Sequence, residues 1–178
     1  SDIEQSHCFW TEILGFQQVG ALRPRTDNSR RREMRFYSGD YDGHLSHHDI
    51  ALVEVGVPAG GSEMRNGRLG LNHVAIAMPD RATWLRQLHF LRSQGVPFTS
   101  RVNRGVTHSV HIADPDGHDI EIVYELPRHI WEGNIQAALN HAQPLPTDGD
   151  AALIDDPALP VFGAPIQPAA EMSRQERT

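Results

Sequence analysis

The order in which alternating and helical runs follow one another constrains this chain more than any other feature. Residues 71–78 (LNHVAIAM) read as a strand, and residues 80–94 read as a helix closed by Gly95. Three more strands follow at 97–102, 106–113 and 119–124. The last two are joined by Asp114-Pro115-Asp116-Gly117, a turn in which proline and glycine supply the dihedrals that a tight reversal needs. Ahead of this block, residues 2–14 read as an amphipathic helix with Ile3, Phe9, Ile13 and Leu14 apolar. Strands follow at 16–22, 34–37 and 48–55, with turn-rich loops between them. The second half is therefore strand–helix–strand–strand–strand, and the first half is the same pattern without its opening strand.

Two such modules side by side predict an α+β fold. Two βαβββ modules would form a curved, partly open mixed sheet around one cavity, the first strand of the first module being absent from this chain. The paired modules are expected over 1–126, the first (incomplete) at 1–57 and the second at 70–126, with a glycine-rich linker at 58–66. Ser1 with Glu4 three residues on reads as the helix cap. From residue 127 the strand pattern stops. A short helix at 129–141 is expected, then an extended arm rich in Pro, Asp, Ala and Gly with a disordered end, so that 127–178 forms a C-terminal helix and arm.

Composition excludes several functions. A net charge of -7 over 178 residues argues against a nucleic-acid binder, and the arginines at 23, 25 and 30–32 read as a solvated loop. No apolar run reaches the length of a membrane span. The single cysteine, Cys8, cannot form an internal disulfide. It fits a reducing, cytoplasmic setting and reads as packed in the first helix.

Eleven histidines are more informative, because several lie inside strand-like runs. Strand side chains alternate between faces. Along 71–78, Val74, Ile76 and Met78 form a bulky apolar face, and His73, Ala75 and Ala77 form the other, where small residues leave room for a ligand. Along 119–124, Ile120 and Ile122 share one face and Glu121 and Val123 the other. A mid-strand carboxylate is costly to bury unless it is paired or bound to a cation. His73 and Glu121 together suit Fe(II), Mn(II), Ni(II) or Zn(II), whereas His73 alone reads as a hydrogen-bonded core histidine and Glu121 alone as a solvated edge residue. His48 opens the strand 48–55, and it or His47 is expected to face the cavity, where an imidazole can shuttle a proton. A bulge at Gly117 would put His111 on the same face as Glu121; pairing without a bulge would not. Arg104, in the loop ahead of that strand, reads as an anion contact or as a surface arginine.

These segments resemble the vicinal-oxygen-chelate superfamily of glyoxalases, bleomycin-resistance proteins and extradiol dioxygenases. Asp2-Ile3, Ser6, Phe9-Trp10 and Leu14-Gly15-Phe16 resemble the first helix of such a module. Leu71-Asn72-His73-Val74-Ala75-Ile76 resembles the opening strand of the second module, whose histidine ligates metal. Residues Asp114-Pro115-Asp116-Gly117-His118-Asp119-Ile120-Glu121 resemble its closing hairpin, whose glutamate is another ligand. His48-Asp49-Ile50-Ala51-Leu52 is similar to the one-domain catechol 2,3-dioxygenases, in which that histidine is the acid–base.

The resemblance implies an Fe(II)-dependent extradiol ring-cleaving dioxygenase acting with O2 on a catechol or related aromatic vicinal diol. His73 and Glu121 would be metal ligands, with a third ligand expected upstream of Ser1. His48 and His111 would be the catalytic groups, Arg104 and His108 would contact the substrate, and the protein would be a cytoplasmic homodimer. The family often has a tyrosine where His111 stands, and often a histidine near Arg104. The alternatives are a glyoxalase-like lyase or an epimerase using a divalent metal, or a non-catalytic binder of a small molecule.

Overall fold

The computed structural model describes residues 2–22, 33–54, 71–155 and 162–163. The arginine-rich loop and the 58–66 linker lie outside the described residues, as does most of the chain after 155. The fold is mixed α+β, and the chain divides into two compact units. One unit is 1–74 with 93–96 and 112–120; the other is 75–92, 97–111 and 121–178. Among the described residues no helix is long and apolar enough to cross a membrane.

In the first unit, helix α1 (Ile3–Cys8) continues as one π-helical stretch, Phe9–Ile13. Ser1 lies outside the described residues. Asp2 is the cap: its Oδ1 accepts from the N–H groups of Glu4 at 3.0 Å and Gln5 at 3.4 Å. Phe9 and Trp10 are buried, and Trp10 meets Phe16 edge-on at 5.3 Å. Cys8, expected to be packed, is exposed. Strands β1 (Gln17–Leu22), β2 (Met34–Ser38) and β5 (Ile50–Val53) form a sheet in the order β1–β2–β5, both pairings antiparallel. The loop expected over 38–46 contains a small hairpin, β3 (Asp40–Tyr41) with β4 (His44–Leu45), whose turn passes through Asp42 and Gly43 at positive φ.

The second half of the chain follows the expected order: β6 (Val74–Ala77), α2 (Arg81–Ser93), β7 (Ser100–Asn103), β8 (Thr107–Ala113) and β9 (Asp119–Glu125). Asp80 caps α2 by accepting from Thr83 N–H at 2.7 Å. Trp84, Leu88 and Leu91, spaced as one helix face, are fully buried, and Trp84 Nε1 donates to the Ile122 carbonyl at 2.9 Å. The C-terminal segment is more than an arm. It forms α3 (Arg128–Trp131), α4 (Ile135–Leu139) and a short strand β10 (Gln143–Pro144). Strand β10 extends the sheet to the order β10–β7–β8–β9–β6.

That segment also carries Asp155 into the interior of the second unit. Asp155 Oδ1 lies 2.6 Å from His108 Nδ1, and its Oδ2 accepts from Tyr124 Oη at 2.6 Å and Arg81 Nε at 2.8 Å. Arg101, 2% exposed, packs its guanidinium over Trp84 at 5.3 Å and donates to the Ile154 carbonyl at 2.8 Å. Burial pushes the Asp155 carboxyl up, but the hydrogen bonds from His108, Tyr124 and Arg81 outweigh it and bring it down to about 2. The unfolded chain titrates near 3.8, so the carboxylate stabilises the fold above that pH, and the contribution is lost as pH falls through about 2. Asp155→Ala strands buried donors, and we expect it to cost about 3–5 kcal/mol in urea denaturation at neutral pH. Asp155→Asn should flatten the dependence of stability on pH between about 4 and 2; an unchanged acid profile would contradict the assignment.

Candidate functional site

The closing hairpin sets the geometry at Glu121. Gly117 has φ 84, its N–H donates to the Asp114 carbonyl at 3.0 Å, and Asp114 N–H donates to the His118 carbonyl at 3.0 Å. This is a turn closed by a glycine bulge, and it places Asp114 opposite His118. Three residues along each strand from that pair, His111 stands opposite Glu121 on a shared face. His111 Nε2 is 3.6 Å from Glu121 Oε1, with the side chains only 11% and 15% exposed. Ile120, Ile122 and Tyr124 take the other face of β9 and are buried. The Asp114 carboxylate stiffens the turn, accepting from the N–H groups of Asp116 at 2.9 Å and His118 at 2.7 Å.

The same alternation disposes of His108. It was expected to contact substrate, but it lies on the opposite face of β8 from His111. There it is 1% exposed and bonded to Asp155 and Tyr124. Its ring is part of the interior. Arg104 is exposed on the turn between β7 and β8, where its N–H donates to the Thr107 carbonyl at 2.8 Å. Gly105 beside it is buried at φ 76 and donates to Asn103 Oδ1 at 2.9 Å.

His73 and His48 belong to the first unit, and both stand just ahead of the strands they were expected to occupy. His73 is half-buried, and its Nδ1 lies 2.6 Å from Asn72 Oδ1. With Nδ1 as the donor, Nε2 carries the lone pair, which is the tautomer a metal-bound imidazole adopts when an outer oxygen orients it. In the strand that follows, Ala75 and Ala77 are exposed, and Val74 and Ile76 half-buried, as alternation requires. His48 is half-buried with its ring 5.0 Å from Phe36 and 4.4 Å from the exposed His47.

Of the six singled-out residues, the structure brings His111 and Glu121 together. Among the described residues no group of three or more His, Cys, Asp or Glu is arranged to hold a metal. Within the second unit, His111 and Glu121 set a shielded carboxylate beside an imidazole, two donor types that suit a divalent cation. Sequence reasoning missed the contact that orients His73, from Asn72. Asn72 is the immediate neighbour of His73, which was the available signal.

The family model described as the Glyoxalase/Bleomycin resistance protein/Dioxygenase superfamily matches residues 1–122. A lactoylglutathione lyase of Pseudomonas putida is 25% identical over 146 residues, covering 71% of this chain and 80% of that protein. Biphenyl-2,3-diol 1,2-dioxygenase 3 of Rhodococcus globerulus is 35% identical over 77 residues, covering 43% of this chain and 40% of that protein. The chain thus spans less than half of the dioxygenase. Among solved structures, a glyoxylase/bleomycin resistance protein/dioxygenase domain from Frankia sp. EAN1pec superposes with a TM-score of 0.53 at 19% identity, covering 70% of this chain and 90% of that one. At that identity the likeness speaks to the fold.

The turn carrying Arg104 has a testable weak point. A Cβ on Gly105 would lie 2.7 Å from the Ala138 carbonyl oxygen and 3.0 Å from the Phe162 ring, with φ already at 76. Gly105→Ala should therefore cost about 1–3 kcal/mol by thermal or urea unfolding. Gly43→Ala, at φ 83 with nothing within 4 Å, should cost about 1 kcal/mol or less. Equal losses in the two variants would contradict the packing at Gly105.

Proposed function

Since the chain belongs to the Glyoxalase/Bleomycin resistance protein/Dioxygenase superfamily, we propose that it is an extradiol-type ring-cleaving dioxygenase. Its substrates are a catechol or related aromatic vicinal diol and O2, and its metal is Fe(II), with Mn(II), Ni(II) or Zn(II) as the alternatives that metal loading compares. The observation that carries this reading is His48, a half-buried imidazole packed on Phe36 at 5.0 Å, within His48-Asp49-Ile50-Ala51-Leu52. The similarity to the biphenyl-diol dioxygenase supports the same reading.

His73 and Glu121 are the proposed metal ligands among the residues present. A divalent metal held there would supply Lewis-acid chemistry toward the diol and redox chemistry toward O2. The chain's own groups do the rest. His48 takes up and returns a proton at a substrate oxygen, which requires an imidazole that is accessible yet held in place. His111, beside Glu121, donates a hydrogen bond toward the substrate and braces the carboxylate. The exposed guanidinium of Arg104 attracts an anionic substituent. A homodimer in the cytoplasm is the proposed setting.

A second reading is a glyoxalase-like lyase, favoured by the lactoylglutathione lyase similarity, which extends over 80% of that relative. Oxygen separates the two. Protein loaded anaerobically with Fe(II) and given catechol should turn yellow with a ring-opened product only when air is admitted. Turnover of a glutathione hemithioacetal under strict anaerobiosis would replace the proposal with the lyase.

Two variants test the residue roles. Glu121→Ala should lose its metal by elemental analysis, and equimolar metal in that variant would refute the ligand assignment. His48→Ala should keep its metal while turnover falls about 10²–10⁴-fold.

A further inference from the structure

Building on the reading of His48 as the proton carrier, we propose that Asp49 is its positioning residue: by tying the 46–49 segment to the end of β2, Asp49 holds the His48 ring in its working orientation. The geometry is a two-residue bow fixed at both feet. At one foot, Asp49 Oδ2 accepts from Gly39 N–H at 2.8 Å and lies 3.2 Å from the Ser38 hydroxyl, while Asp49 N–H donates to the Tyr37 carbonyl at 2.7 Å. At the other, Ser46 N–H donates to Ser38 Oγ at 3.0 Å, and the Ser46 hydroxyl donates to Asp49 Oδ1 at 2.8 Å. The Tyr41 hydroxyl of the small hairpin bonds the same carboxylate. Ser38, the shared anchor, is fully buried.

Between these feet stand only His47 and His48. One carboxylate thus ties together the end of β2, the β3–β4 hairpin and the entry to β5. Phe36, which pairs with Ala51 across the sheet, supplies the wall on which the His48 ring rests. The Gly39 N–H and the Ser46 hydroxyl hold the Asp49 carboxyl below the usual carboxylate range, so it remains an acceptor throughout the pH range of interest. An imidazole that must meet a proton in a defined direction gains from a backbone that is fixed before substrate arrives, because misplacement by a fraction of an ångström lowers the rate without abolishing binding.

The test is a double-mutant cycle of Asp49→Asn and His48→Ala in the metal-loaded protein. An asparagine keeps one acceptor oxygen but cannot accept from both feet of the bow. We expect Asp49→Asn alone to lower kcat about tenfold with KM within about twofold and with full metal content. In the His48→Ala background the same substitution should cost nothing further, because its effect runs through the missing ring. An equal tenfold loss in both backgrounds would show a general structural role and overturn the proposal. Full activity in Asp49→Asn with His48→Ala crippled would also overturn it, while full activity in His48→Ala would instead overturn the reading of His48. A readout independent of turnover is the NMR linewidth of the His48 ring protons, sharp in the parent and exchange-broadened in Asp49→Asn. If Asp49→Asn does not fold, Ser46→Ala, which removes one foot, should give about a threefold loss of kcat and the same broadening. An unbroadened ring in that variant overturns the proposal.

Discussion

The register of one hairpin governs the pairing of β8 with β9. Because the turn at 114–117 closes through a glycine bulge, Asp114 faces His118, and everything on β8 and β9 is paired accordingly. In a strand with period two, sliding by one residue would exchange the faces of β9, turning Glu121 into the apolar interior and Ile120 and Ile122 out of it. Neither is tolerable: an unpaired carboxylate is costly to bury, and the two isoleucines are fully enclosed. The Asp114 carboxylate, 4% exposed and bonded to three donors in its own turn, keeps the bulge in place. The fold therefore selects the register on apolar grounds, and the position of the Glu121 carboxylate follows from it.

Strand β8 then serves two purposes on its two faces. His111 faces Glu121, whereas His108, three residues earlier, faces Asp155, Tyr124 and Trp84. The second cluster is an ion-pair network sealed under the C-terminal segment. Two arginines, a histidine and a tyrosine converge on one carboxylate that lies 33 residues beyond the region matched by the family model. Each member of such a network is expensive to remove, because its partners are left buried and unpaired. Here the arrangement seats β10 at the edge of the sheet, beside β7. Division of labour along one strand also explains why two histidines of similar sequence context have different surroundings.

Much of this was legible from periodicity. The second-half order of strand, helix and three strands was readable because its apolar residues repeat cleanly and its turn has a distinctive proline and glycine. The facing of Glu121 away from Ile120 and Ile122 followed from alternation alone. His73 and His48 were located as residues but placed inside strands, whereas both lie just before them, where backbone pairing has not begun. The β3–β4 hairpin was hidden in a polar loop because two-residue strands leave no pattern to count. Asp155 was invisible for a different reason: its partners are 31 to 74 residues away, and the segment that carries it has no periodicity to mark it as interior. His108 was assigned to substrate for want of that partner. The exposure of Cys8 was missed because the apolar stripe of α1 and the π-helical turn after it shift the buried face toward Phe9 and Trp10.

The proposed activity depends on a cation bound at the Glu121 carboxylate. Anomalous diffraction at the iron edge, from crystals grown anaerobically with Fe(II), tests this without recourse to activity. The proposed ligand role of Glu121 predicts one strong peak per chain, at roughly 2.0–2.2 Å from a carboxylate oxygen of Glu121. A well-occupied peak remote from the Glu121 carboxylate would contradict it.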